Sequence, residues 1–205
     1  MDVARPYAVL TDALESEVLR VLAGTTLPIS GRHVHRLAHR GSDRGIQYAL
    51  NRLVDQGLVS AQEAPPAILY TLNRDHLAAP IAEALAELRM TFIERMREAL
   101  AQWAVPAEHA SLFGSAARAD GDTLSDIDLV LVRPGEVATE DPRWRAQVDG
   151  LADAVGRWTG NRASLVELSP EDVLRLSEER APIIDELTRD AITLAGQSFR
   201  ELAGR

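Results

Sequence analysis

Residues 112–132 read LFGSAARADGDTLSDIDLVLV, and this stretch decides the fold of the second part of the chain and its chemistry. Gly114 and Ser115 close an apolar run, ten residues follow, and Asp126-Ile127-Asp128 then opens a second run, Leu129 to Val132. Side chains alternate along a strand, so Asp126 and Asp128 are predicted on one face and Ile127, Leu129 and Leu131 on the other. Two carboxylates held side by side repel unless a cation lies between them. Oxygen ligands of this kind suit Mg²⁺, which keeps part of its shell for substrate phosphates. Gly114 allows close backbone approach to a ligand, and the N–H groups after it form an anion-binding turn. Ser115 and Ser125 add hydroxyls, and Arg118 adds a fork that matches phosphate oxygens. A glycine-serine turn for triphosphate followed by an Asp-x-Asp strand for metal is the layout of a nucleotidyl-transfer site. The bland alternative is an acidic strand edge beside a Gly-Ser turn.

Composition bounds the rest. The chain has 205 residues, 46% of them hydrophobic, which supports one large or two small globular domains. No apolar run reaches the length of a membrane span, and the first residues lack a basic-then-apolar signal pattern, so no membrane partner and a cytoplasmic location are expected. There is no cysteine, which excludes disulfides and thiolate zinc sites. There is also no lysine, so every cationic phosphate contact has to come from Arg. Through Asp75 the chain carries eight acidic residues and eight Arg; beyond it there are twenty-three acidic residues and fourteen Arg, and all of the net charge of −9. A neutral first part joined to an acidic second part suggests two units with different partners.

In residues 1–78, apolar positions from Val9 to Leu22 recur at helical spacing, with Thr11 or Asp12 as a cap and Gly24 as a stop. Leu27-Pro28-Ile29-Ser30 reads as a breaker. Ser30 caps a second helix ended by Gly41, and Ser42 caps a third, through Ile46, Leu50 and Leu53, ended by Gly57. Residues 58–60 and 67–72 read as paired strands turned by Ala64-Pro65-Pro66. Three short helices and a hairpin make a winged helix-turn-helix. The segment Asn51-Arg52-Leu53-Val54-Asp55-Gln56-Gly57-Leu58-Val59 resembles the exit from the third helix of bacterial winged-helix regulators. That resemblance makes residues 42–56 a recognition helix, with Ser42, Asp43, Arg44, Gln47 and Tyr48 facing the major groove of double-stranded DNA. Arg32, Arg36 and Arg40 would meet phosphates, and Arg74 would join them from beyond the wing. A winged helix used for protein contacts is the competing reading, since the segment is neutral overall. His33, His35 and His39 have spacings that can support a metal site, although such a set on a solvated helix usually does not.

From His76 to Trp103 the sequence reads as nearly unbroken helix, with Ile81, Leu85, Leu88, Phe92, Met96 and Leu100 in a near-heptad stripe. The later half is expected to pack on its own sheet, and the earlier half to pair with a second copy as a homodimer. The remainder reads as strand (108–113), short helix (115–119), strand (127–132), helix (142–158), strand (163–168) and helix (170–189). The expected class is α+β: a DNA-binding unit at 1–78, then a unit at 79–205 whose residues 79–104 connect the two, with a mixed sheet carrying helices on one face.

The set Gly114-Ser115, Arg118 and Ser125-Asp126-Ile127-Asp128-Leu129 resembles the minimal branch of the polymerase-β-like nucleotidyltransferases. The resemblance implies Mg²⁺-dependent transfer of a nucleoside monophosphate from a triphosphate, with ATP the expected donor, to an acceptor hydroxyl. Ser115, Arg118 and their neighbours would hold phosphate, while Asp126 and Asp128 hold one or two ions. It also implies a third carboxylate on a neighbouring strand. Glu167 is the one acidic residue in 163–168 and is the candidate, as ligand or base, against the alternative of a plain exposed Glu; relatives often carry Asp there. Asp120 and Asp122 read as solvated turn residues. A toxin protein is one acceptor class the resemblance suggests. The competing function is a transcriptional regulator whose nucleotidyltransferase-like part senses a nucleotide without catalysis.

Overall fold

The computed structural model describes every residue except Leu10, Asp12, His39, Gly121 and Arg205, and only the backbone of Val9. The expected cap at Asp12 and the contribution of His39 to a histidine set lie outside the described residues. The chain is α+β and divides into two compact units, Pro6–Leu88 and Met1–Arg5 with Arg89–Arg205. The division falls ten residues later than the expected boundary, because the helix at Ala79–Ala86 buries Ala79 and Ala82 in the core of the first unit. Val3 is buried in the core of the second unit, which is why the first five residues belong there.

The first unit starts with a 3-10 turn (Pro6–Val9) and helix α1 (Leu14–Ala23). The two-residue strand β1 (Ile29–Ser30) then leads into α2 (Gly31–Leu37). After α3 (Asp43–Asp55) come strands β2 (Val59–Ala64) and β3 (Ala67–Leu72), and helix α4 (Ala79–Ala86) closes the unit. Ser30 and Ser42 cap α2 and α3 as their sequence positions suggest, accepting from the His33 and Gly45 N–H groups at 3.3 and 3.1 Å. Ile29-Ser30, read as a breaker, pairs instead with β3, so the sheet has three antiparallel strands in the order β1-β3-β2. Val18, Leu22, Val34, Ile46, Leu50 and Leu72 fill the core beneath them.

In the second unit α5 (Leu88–Ala101) is followed by β4 (His109–Phe113), α6 (Gly114–Arg118) and β5 (Ile127–Val132). Next come α7 (Pro142–Thr159), β6 (Ala163–Leu168), α8 (Pro170–Glu178) and α9 (Pro182–Asp190). Strand β7 (Ile192–Gly196) and α10 (Phe199–Ala203) complete it. The sheet order is β6-β5-β4-β7; β5 runs parallel to β6 and antiparallel to β4, and β4 runs antiparallel to β7. The span 170–189 is two helices, because Arg180 takes a left-handed φ of 52° and Pro182 disfavours helical backbone at Ala181.

Helices cover both faces of this sheet, not one. On one face Leu112, Leu129 and Leu131 meet Phe92 and Met96 of α5 and Trp144, Val148 and Val155 of α7. On the other, Phe113, Val130, Val132 and Leu168 meet Val173 of α8, Leu187 of α9 and Phe199 of α10. β5 is apolar on both sides apart from Asp128, so burial of both faces is what its sequence requires. His109 and Ser111 of β4 are fully buried; His109 Nδ1 lies 2.6 Å from the Gln197 carbonyl oxygen, and its ring meets Phe199 edge-on.

Candidate functional site

The glycine-serine turn and the Asp-x-Asp strand meet because β4 and β5 are antiparallel and Phe113 pairs with Asp128. Gly114 follows at once with a left-handed φ of 65°. A Cβ built on Gly114 would lie 2.5 Å from Asp128 Oδ2 and 3.3 Å from its Cγ. The backbone angle favours glycine, and an added Cβ would displace the carboxylate from the turn. Ser115 is half-buried beside the turn, and among the described residues its hydroxyl has no hydrogen-bond partner.

Asp128 is half-buried and Asp126 is exposed. Asp126 lies one residue before the paired part of β5. Burial raises the Asp128 pKa above the usual carboxylate value; Asp126 and Glu186 push it further, while a hydrogen bond from Ser164 and the charge of Arg118 oppose the rise. The group is therefore strained in its charged form, and a cation would relieve that strain. The donor set is all oxygen, and Gly114, having no Cβ, lets the Asp128 carboxylate lie against the turn, so these residues fit a hard divalent ion. Among the described residues no three His, Cys, Asp or Glu side chains gather as a metal cluster. Any ion here would take its remaining ligands from substrate or water.

Several expected site residues have other partners. Glu167 lies on the opposite face of the sheet from Asp128. The parallel register pairs Asp128 with Ser164 and Leu131 with Glu167, an odd offset of three that reverses the side. Glu167 accepts hydrogen bonds from Trp144 Nε1 at 2.9 Å and Arg145 Nη1 at 2.6 Å, so it anchors α7 and does not complete the Asp126–Asp128 pair. The residue beside Asp128 on the neighbouring strand is Ser164. The Ser125 hydroxyl closes the turn before β5, donating to Asp122 Oδ1 at 2.9 Å and accepting from the Asp122 N–H at 3.0 Å. Arg118 donates to Asp120 Oδ2 at 3.1 Å and to Glu186 Oε1 at 2.8 Å, and these two carboxylates raise its pKa further. Periodicity carries no signal for Glu186, which α9 brings to this face. Ser164 could have been found by extending the β5–β6 register.

In the first unit Arg32, Arg36, Arg44 and Tyr48 are exposed, and Tyr48 retains 73% of its surface. Arg44 and Tyr48 sit one turn apart on α3 and line an open groove with Ser42 and Gln47. The Ser42 side chain is used as the cap of α3. The Gln47 amide donates to Tyr70 Oη at 2.8 Å and Asn51 Oδ1 at 2.9 Å, which fixes it against β3. Arg40 approaches the fully buried Glu17 at 3.9 Å. Arg74 is exposed; it bonds Glu83 at 3.0 Å and the carbonyls of Ala23 and Thr25, which ties α4 to the end of α1. His35 pairs with Asp43 at 3.6 Å and lies 3.1 Å from the Gly41 carbonyl oxygen. Among the described residues no helix is long and apolar enough to cross a membrane.

No family model matches the chain, and neither a curated protein nor a solved structure matches it.

Proposed function

We propose that the second unit binds a nucleoside triphosphate with Mg²⁺ and transfers the nucleotidyl group to an acceptor hydroxyl. The first unit, in this reading, is a winged helix that binds double-stranded DNA. The observation that carries the reading is the contact between the left-handed Gly114 and the Asp128 carboxylate, which puts a phosphate-compatible turn and a cation-seeking acid at one point. Bound Mg²⁺ would neutralise Asp126 and Asp128 and stabilise charge on the phosphates. The turn N–H groups and the Ser115 hydroxyl hold phosphate oxygens, and Arg118 reaches them by exchanging Glu186 for phosphate. The acceptor oxygen bonds to the α-phosphorus as the bond to the bridging oxygen breaks; pyrophosphate leaves and the acceptor proton passes to water. ATP is the expected donor, and a protein hydroxyl, such as one on a toxin, is the acceptor class that the resemblance suggests.

A second reading is nucleotide sensing without transfer. It is favoured by the register that puts Ser164 beside Asp128 and turns Glu167, the third-carboxylate candidate, to the other face. Both readings share one binding event. Incubation with α-labelled ATP and Mg²⁺, alone and with candidate acceptor proteins, separates them. Label transfer lost in Asp126→Ala supports catalysis. Metal-dependent binding without pyrophosphate release supports sensing, and absence of metal-dependent nucleotide binding refutes both.

For the first unit, DNA contact rests on Arg32, Arg36, Arg44 and Tyr48. A homodimer would use the exposed Leu77 and Ile81 at α4.

A further inference from the structure

We infer that Asn161 is a positioning residue that aims Asp126 at the metal; this rests on the nucleotide-metal reading above. Asp126 is exposed and precedes β5, so packing does not orient it, and its direction depends on its two backbone neighbours. Both neighbours are held from one place. The Asn161 Nδ2 donates to the Ser125 carbonyl at 2.9 Å and reaches the Thr123 carbonyl at 3.4 Å. The Arg162 carbonyl accepts from the Ile127 N–H at 2.9 Å. β5 and β6 begin their pairing at Ile127 and Ala163, so the side-chain amide extends the ladder upstream of the last backbone pair.

The amide cannot easily do otherwise. Asn161 is only 6% exposed and follows the left-handed Gly160, which ends α7. Its own N–H donates to Thr159 Oγ1 at 3.0 Å, and its Oδ1 accepts from the Met1 amino group. That acceptor role leaves the NH₂ side turned toward the carbonyls of 123 and 125. A buried donor tied to the backbone one residue before a ligand acts like the groups that orient metal ligands from outside the coordination sphere.

The test compares wild type with Asn161→Ala, and with Asn161→Ser should the first fail to fold. Paramagnetic Mn²⁺ binding in the presence of a non-hydrolysable ATP analogue gives the metal affinity. Amide hydrogen exchange gives local order without any metal. The expected result is a loss of roughly 10-fold in Mn²⁺ affinity. Exchange should quicken at residues 125–127 while Leu129 to Leu131 stay protected. Unchanged Mn²⁺ affinity overturns the inference alone, as does exchange that quickens along all of β5, which would mark a general structural role. Absence of Mn²⁺ binding in the wild type overturns the nucleotide-metal reading, and the role of Asn161 with it.

Discussion

Replacing Gly114 with Ala tests whether the turn and the Asp128 carboxylate act together. The added Cβ must adopt a φ of 65° and would begin 2.5 Å from Asp128 Oδ2, 3.3 Å from Cγ and 3.4 Å from Cβ. A left-handed backbone with a Cβ costs about 1–2 kcal/mol. The close oxygen is the end of a side chain and can retreat, so the clash adds little to that cost. It must move by roughly 0.5–1 Å to reach ordinary contact distance. Asp128 then leaves the position from which it would share a cation with Asp126. A misplacement of about 1 Å in a reacting constellation costs on the order of 100-fold in rate. The expected variant is folded, melts several degrees lower, and transfers label about 100-fold more slowly or binds the Mg²⁺-nucleotide correspondingly less well. Thermal unfolding and label transfer on the same preparation measure both. Full turnover together with an unchanged melting temperature would refute the argument, because the glycine would then be a turn residue of no consequence to the carboxylate.

Asp128→Asn should abolish metal-dependent binding yet stabilise the fold at neutral pH. The Asp128 pKa is raised in the folded chain, so the folded state holds its proton to higher pH than the unfolded state does. The wild type therefore loses stability as pH climbs from the ordinary carboxylate value through the raised one. Denaturant titrations should show the gain from Asn above that window and none below it; an equal gain at all pH values would exclude the burial argument. In the first unit Arg44→Ala should weaken specific DNA binding by about 1–3 kcal/mol if the side chain reads a base. Arg74→Ala should instead lower the melting temperature of that unit, because its guanidinium ties Glu83 to the end of α1. Gel shifts on DNA from the chain's own upstream region compare the two, and equal losses of affinity would contradict the partner assignment of Arg74.

What could be read along the chain is what depends on near neighbours. Ser30 and Ser42 announce helix starts, and Gly114, Asp126 and Asp128 announce a turn and an acidic strand, because capping, left-handed backbone and side-chain alternation act over a few residues. Even there the helical pattern of 170–189 runs on across Pro182, and the apolar run of β7 is only five residues long, too short to stand out as a strand. The identity of a side chain's partner is a different kind of fact. Whether Glu167 or Ser164 stands beside Asp128 turns on a one-residue parity between two strands brought together by α7. Glu186 faces Arg118 only because α9 folds back over the sheet, and Met1–Arg5 joins the second unit only because Val3 finds a core there. Local pattern thus set the elements and the acidic pair. The packing of distant segments, whose register no periodicity encodes, decided which charges meet.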